Sequence, residues 1–250
     1  MTRRLPWLGL GLLILAQICY PLTDGAARAA VTITTVALGY LLSVSHAALT
    51  RGLRVATALV LVTTGGGLLV EAFGVAKGVP FGDYAYSAAL GPKIAGVPVV
   101  IPLAWTWMAW PAWLAAIRLV RHPAARILVA GVGLAAWDVF LDPQMVAEGY
   151  WTWSDPSPSL PGVPDVPLGN YAGWLVVAVL MMALFAALAG PTSPGTDAPM
   201  YALYLWTYFS NILAHAVFLG LPASAGWGAL AMGLVALPLA GTSTNHRVRA

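Results

Sequence analysis

The sequence predicts an all-α membrane protein: a polytopic bundle of about eight transmembrane helices with two long outer-side loops. Three observations carry this. Hydrophobic residues make up 60% of the 250 residues and charged residues 8%, against roughly 25% charged in an ordinary soluble domain. Mean hydropathy is +0.80. Apolar stretches also recur at the length a bilayer core of ~30 Å demands, ~20 residues per helix. There is too little polar surface to coat a soluble globule, which excludes a soluble enzyme and a disordered chain. The single cysteine, Cys19, excludes a disulfide framework and a Cys-based metal cluster. The net charge of +3 comes from few, scattered groups. No basic stripe exists for nucleic acid. Residues 1–250 read as one integral membrane domain.

The first segment, Leu5–Leu22, follows Arg3 and Arg4. With Ala26–Ala30 behind it, it also fits a cleaved signal peptide. The run is long, and cleavage would put the new N-terminus outside, so it is read as retained. The second, Ala26–Leu49, carries His46. The third, Val55–Ala72, holds Gly65, Gly66 and Gly67, which suit close helix packing, and ends at Glu71. The fourth, Val97–Leu119, carries Trp105, Trp107, Trp110 and Trp113. The fifth, Ala124–Phe140, ends at Asp138, and the sixth is Tyr171–Ala189. The seventh, Met200–Leu221, sets Asn211 and His215 four apart, on one helical face. The eighth is Ala223–Gly241. Only a turn at Pro222 separates the last two, so seven spans is the alternative.

Charge placement favours eight. With a cytoplasmic N-terminus, the inside holds Arg3, Arg4, Arg51, Arg54, Arg118, Arg121, Arg126, Arg247 and Arg249. The outside holds only Arg28, Lys77 and Lys93. This is the positive-inside pattern, and an even count puts both termini in the cytoplasm. The acids sort oppositely: all but Asp197 lie at or toward the outer side. The long loops, Phe73–Gly96 and Leu141–Asn170, are also on that side. They are rich in Gly, Pro, Trp and Tyr. Loops this apolar are expected to fold back over the bundle, covering a site between helices.

An ionisable group in a span costs ~2.5–3.5 kcal/mol at the helix centre. Glu71 and Asp138 have no basic neighbour within a turn on their own helix. One reading is an interfacial carboxylate; the other is a functional pair. Asp138 and Asp142 are four apart and share a face if the helix continues to Leu141. Two like charges this close disfavour double ionisation, so one carboxyl keeps a proton. A general acid needs that. Alternatively, Asp142 turns the chain before Pro143. Trp137, Trp151 and Trp153 flank these acids. Their π-faces suit a transient cation; for most of these tryptophans, including Trp105, Trp107, Trp110 and Trp113 of the fourth span, a membrane-interface belt is the ordinary reading. For Asn211 and His215 the ordinary reading is an interhelical hydrogen-bonded pair.

Several chemistries lack their residues. A retinal Schiff base needs a lysine in a span, yet Lys77 and Lys93 both lie in the loop after the third span. His46, His122, His215 and His246 form no di-iron cluster. Haem held by His46 and His215 has no further support. No glycine loop of the nucleotide-binding type is present.

The order of fragments is distinctive. Glu71-Ala-Phe-Gly-Val-Ala-Lys-Gly-Val-Pro-Phe-Gly-Asp-Tyr-Ala-Tyr86 precedes Leu90-Gly-Pro, Gly96-Val-Pro and Ile101-Pro-Leu-Ala-Trp105. Later come Trp137-Asp-Val-Phe-Leu-Asp-Pro-Gln-Met145, Gly149-Tyr-Trp-Thr-Trp153 and Val166-Pro-Leu-Gly-Asn-Tyr-Ala-Gly-Trp174. Together, over about 71–174, they resemble the CruF-type carotenoid hydratase family of integral membrane proteins. The resemblance implies a multi-pass cell-membrane enzyme of carotenoid biosynthesis, a hydro-lyase. It would add water to the terminal C1′=C2′ bond of a carotene end group, of γ-carotene, lycopene or C50 type. A tertiary alcohol would result. No cofactor or metal is needed. The partners are a hydrophobic carotenoid from the bilayer, water and neighbouring pathway enzymes.

On chemical grounds, Asp138 or Asp142 donates the proton and Glu71 orients or deprotonates the water. Tyr84, Tyr86, Trp137, Trp151 and Trp153 wall the cation, and Trp105, Asn170, Asn211 and His215 complete the expected substrate contacts. A related isoprenoid enzyme such as a cyclase, a proton-coupled transporter and a non-catalytic scaffold are the competing readings.

Overall fold

The computed structural model describes residues 4–190 and 195–244. Arg3, His246, Arg247 and Arg249, used above for charge and metal arguments, lie outside the described residues. Among the described residues, eight long helices form the bundle. They are α1 (Leu5–Cys19, continued by a 3₁₀ turn Tyr20–Leu22), α2 (Gly25–Arg51), α3 (Leu53–Lys77), α4 (Val100–Leu119), α5 (Pro123–Ala147), α6 (Leu168–Ala189), α7 (Ala198–Leu213, continued by a π-turn Ala214–Phe218) and α8 (Pro222–Thr244). Seven are long and apolar enough to cross a membrane. The exception is α7, which carries Tyr201, Tyr204, Trp206, Thr207, Tyr208, Ser210 and Asn211.

The chain is punctuated where backbone chemistry requires. Gly52 (φ 86°) separates α2 from α3, and Gly78 (φ 68°) ends α3 in the left-handed conformation that favours glycine. Pro123 opens α5, where its missing N–H has no helical partner to lose.

α4 is the central helix. All four of its tryptophans are buried, so they form core and not an interfacial belt. α2 can approach them because Gly39 has no side chain; a Cβ there would come within 2.6 Å of the Trp107 ring. Gly131 does the same for α6, and Gly228 for Phe140. Of the glycine triplet, Gly67 packs tightly, against Trp105, whereas Gly65 faces open space.

Three helices continue past an internal proline, Pro111 in α4, Pro143 in α5 and Pro238 in α8, and in the first two a serine compensates for it. Proline lacks the N–H that would bond the carbonyl four residues earlier. Pro111 leaves the Trp107 carbonyl bare, and Ser43 Oγ on α2 donates to it at 2.8 Å. Pro143 leaves the Val139 carbonyl bare, and Ser224 Oγ on α8 donates at 3.1 Å. α5 therefore continues to Ala147. This corrects two expectations: the chain does not turn at Asp142, and the second long loop begins at 148 instead of 141. Likewise α3 runs to Lys77, so Glu71 sits within a helix and not at its end.

The loops between α3 and α4 and between α5 and α6 add small strands to an otherwise all-α fold. β1 (Tyr84–Tyr86) pairs antiparallel with β4 (Trp151–Trp153), with Tyr84 opposite Trp153 and Tyr86 opposite Trp151. β2 (Lys93–Ile94) pairs with β3 (Val97–Pro98), and β5 (Ser159–Leu160) with β6 (Val163–Pro167). At the opposite end of the bundle, Arg51 holds Asp197 through two bonds of 2.8 and 2.7 Å.

Replacing Ser43 by alanine strands the Trp107 carbonyl, a loss of about 1–3 kcal/mol. Pro111→Ala restores the missing N–H. Thermal unfolding in detergent should therefore show a large loss for Ser43→Ala alone and a much smaller one in the Pro111→Ala background.

Candidate active site

A cavity of about 380 Å³ opens between the helices at the end of the bundle that carries the long loops. Its lining is mostly apolar and aromatic, with two carboxyl groups reaching it, Glu71 and Asp142.

Glu71 projects from α3 and is 3% exposed. Three donors converge on it. Tyr84 and Tyr86 hydroxyls donate to Oε2 at 2.6 and 2.8 Å, and Trp105 Nε1 donates to Oε1 at 3.0 Å. The two tyrosines can do this because strand side chains alternate. Ala85, between them, points to the exterior. Burial, reinforced by the Glu71 carboxylate, raises both phenols above their usual range, so they remain donors.

The second cluster is built on α5. Asn170, at the start of α6, donates through Nδ2 to Oδ2 of both Asp138, at 2.9 Å, and Asp142. Trp151 Nε1 donates to Asp142 Oδ1 at 3.1 Å. Asp138 is fully buried behind this pair and does not line the cavity, and its Oδ1 faces no donor. The two carboxyl groups lie within hydrogen-bonding reach of each other.

The β1–β4 ribbon thus serves both clusters, offering Tyr84 and Tyr86 to Glu71 and Trp151 to Asp142. Around it the rings interlock. Tyr86 meets Trp151 edge-on at 5.5 Å, and Tyr84 meets Trp153 at 5.8 Å. Trp137, on the cavity wall, packs edge-on against Trp107 at 5.3 Å.

Of the residues expected from sequence, Glu71, Asp142, Tyr84, Tyr86, Trp105, Trp137, Trp151, Trp153, Asn170 and Asn211 line this one cavity. His215 does not. The π-turn breaks the one-turn registry with Asn211, so His215 turns inward to Ser224 (2.9 Å) and Gln144 (3.2 Å). His46 lies at the other end of the bundle, bonded to Thr196 and Trp110, so the two histidines cannot share a haem. Among the described residues no group of three His, Cys, Asp or Glu could hold a metal.

The sequence reading missed Trp174, stacked on Trp105 at 3.7 Å and 6°. It also missed Tyr20, Gln144 and Trp206 on the cavity wall. Trp174 and Gln144 lay within recognised fragments; Tyr20 and Trp206 carried no local signal. Trp206 donates to Gln17 at 2.8 Å and clasps α7 to α1. Beyond this clasp the lining reaches Ile18, Leu22, Leu213 and Phe218, which are exposed apolar residues on the flank of the bundle.

A model of the carotenoid biosynthesis protein family matches residues 28–238. The chain is also similar to the bisanhydrobacterioruberin hydratase of Haloarcula japonica, at 32% identity over 175 residues. That match covers 64% of this chain and 58% of the relative, so the chain spans under two thirds of that protein's length. No solved structure matches the chain. The family match runs from α2 into α8 and contains both carboxyl clusters, their ribbon and Asn170: this multi-pass protein belongs to the carotenoid biosynthesis protein family.

Proposed function

We propose that the protein is a hydratase of carotenoid biosynthesis. It adds water across the terminal C1′=C2′ double bond of an acyclic carotene end group, of γ-carotene, lycopene or C50 type. The observation that carries this reading is the pairing of two differently bonded carboxyl clusters on one aromatic-walled cavity. The similarity to a protein named as a hydratase supports it.

Glu71 accepts three hydrogen bonds and donates none, which suits a carboxylate. Asp138 and Asp142 lie side by side with one donor amide between them. Two carboxyls in that arrangement are most stable with one proton between them, which the pair holds as a unit. The site therefore separates a proton donor from a proton acceptor across the cavity. Asp142 faces the substrate and delivers the proton; Asp138 is its positioning partner. The alkene electron pair forms the new C–H bond, leaving positive charge on the tertiary carbon. Tyr86, Trp137 and Trp151 stabilise that charge with their π-faces. A water oxygen forms the C–O bond, and its proton passes to Glu71. Return of that proton to the aspartate pair closes the cycle. No electrons are gained or lost.

The apolar rim at Ile18, Leu22, Leu213 and Phe218 suits a polyene entering sideways from the bilayer. The clustering of acids at one end, instead of along a path, favours an enzyme over a proton-coupled transporter. The positive-inside pattern supports a cell-membrane protein with both termini in the cytoplasm and the ribbon outside.

Expression in a bacterial host that makes lycopene or γ-carotene, in ¹⁸O-labelled water, tests the reaction. The expected pigment is heavier by one labelled water. A new pigment of unchanged mass identifies a cyclase or isomerase instead. Asp142→Asn and Glu71→Gln should each lower turnover by about 10²-fold or more while the protein still accumulates in the membrane. Full activity in both, and in Asp138→Asn, would refute the acid assignment.

A further inference from the structure

A hydratase that binds a hydrocarbon in a lipid-facing cavity has a second substrate to secure, and that substrate is polar. One wall of the cavity differs from the rest. Tyr20 from the end of α1, Thr32 and Thr35 from α2, and Gln144 from α5 all line it. The hydroxyls of Tyr20, Thr35 and Tyr150 are buried, yet none completes a hydrogen bond within the protein. Each of these residues is at least nine-tenths buried. Three orphaned hydroxyls in one region are costly unless something pairs with them, because a buried unsatisfied polar group loses about 1–3 kcal/mol. Tyr20 lies close to Gln144, and Tyr150 close to Thr32, yet neither pair meets hydrogen-bond geometry. A water beside each pair would supply the bond that its hydroxyl lacks.

A second cavity lies beside this wall. Glu148 and Tyr150 line a second, separate cavity beside the small residues of α2. Arg28 pairs with Glu148, and its guanidinium lies over the Tyr20 ring, 5.4 Å from the centroid. The Arg28–Glu148 pair and Tyr150 thus stand between the two cavities.

We propose that Tyr20, Thr32, Thr35, Gln144 and Tyr150 form a water-binding niche that supplies the water consumed in the reaction. The Arg28–Glu148 pair is its entrance. The supply role rests on the hydratase reading; the binding of water at the niche does not. Two or three waters there satisfy the orphaned hydroxyls and keep polar solvent on one side of an otherwise apolar chamber.

Radiolytic hydroxyl-radical footprinting of the full chain in detergent or nanodiscs tests the niche directly, because a buried side chain is labelled where a bound water lies against it. Tyr204 is the dry control: it is fully buried and its hydroxyl donates to the Gly133 carbonyl at 3.0 Å. Tyr20 and Tyr150 should label well above Tyr204, and Thr35→Val, which replaces a hydroxyl by a methyl, should reduce the labelling of Tyr20. Labelling of Tyr20 and Tyr150 at the level of Tyr204 would overturn the niche, whatever the pigment assay gives. Tyr20→Phe combined with Thr35→Val should slow formation of the hydrated pigment at least about tenfold. An unchanged rate in that variant, with the wild-type protein active, would overturn the supply role. If the wild-type protein makes no hydrated pigment, the hydratase reading falls and the footprint still decides whether the niche holds water.

Discussion

The structure depends on how carboxyl groups are held inside a membrane bundle. A bare carboxylate at such depth loses its hydration and gains nothing in return. Here Glu71 and Asp142 are supplied from one ribbon of six residues, drawn from two loops and closed by antiparallel pairing. The tyrosines on one strand and the tryptophan on the other reach down because the intervening Ala85 and Thr152 face out. Without the ribbon, Glu71 would keep only the Trp105 indole, and Asp142 only the Asn170 amide. The loops are therefore as much a part of the core as the helices they cover.

Much of this was legible in the sequence, for physical reasons. The aromatic–small–aromatic pattern of Tyr84–Tyr86 and Trp151–Trp153 is a period-two signal beside unpaired acids, and both the acids and these aromatics were identified. Asn170 stood out within a recognised fragment and proved to bridge both aspartates. The pairing of one strand with the other was not legible, because the register of short strands is set by tertiary context. The α4 tryptophans were also misread. Hydropathy marks a span as apolar all round but does not say which span the others surround.

The proline-containing helices show another limit. Proline after Asp142 reads locally as a stop, and a serine on a distant helix reverses that reading by supplying the lost donor. Ser43 and Ser224 look unremarkable in the chain, yet each allows a helix to pass a residue that ordinarily interrupts it. Such compensation is carried by a single long-range hydrogen bond, so no local pattern announces it. It bears on the site: Asp142, directly before Pro143, stays in the helix and shares a face with Asp138.

The ribbon also orders events during biogenesis. Tyr84 and Tyr86 follow Glu71 within the same connection, so that acid can gather two of its donors as soon as the loop leaves the ribosome. Asp142 gains Trp151 almost as quickly. The strand pairing arrives only after α4 and α5 have been made, and Asn170 only with the start of α6. Each carboxyl thus has donors close by in the sequence, whereas the two clusters are joined by segments far apart in it. The finished chamber is closed last, by contacts between segments that enter the membrane at different times.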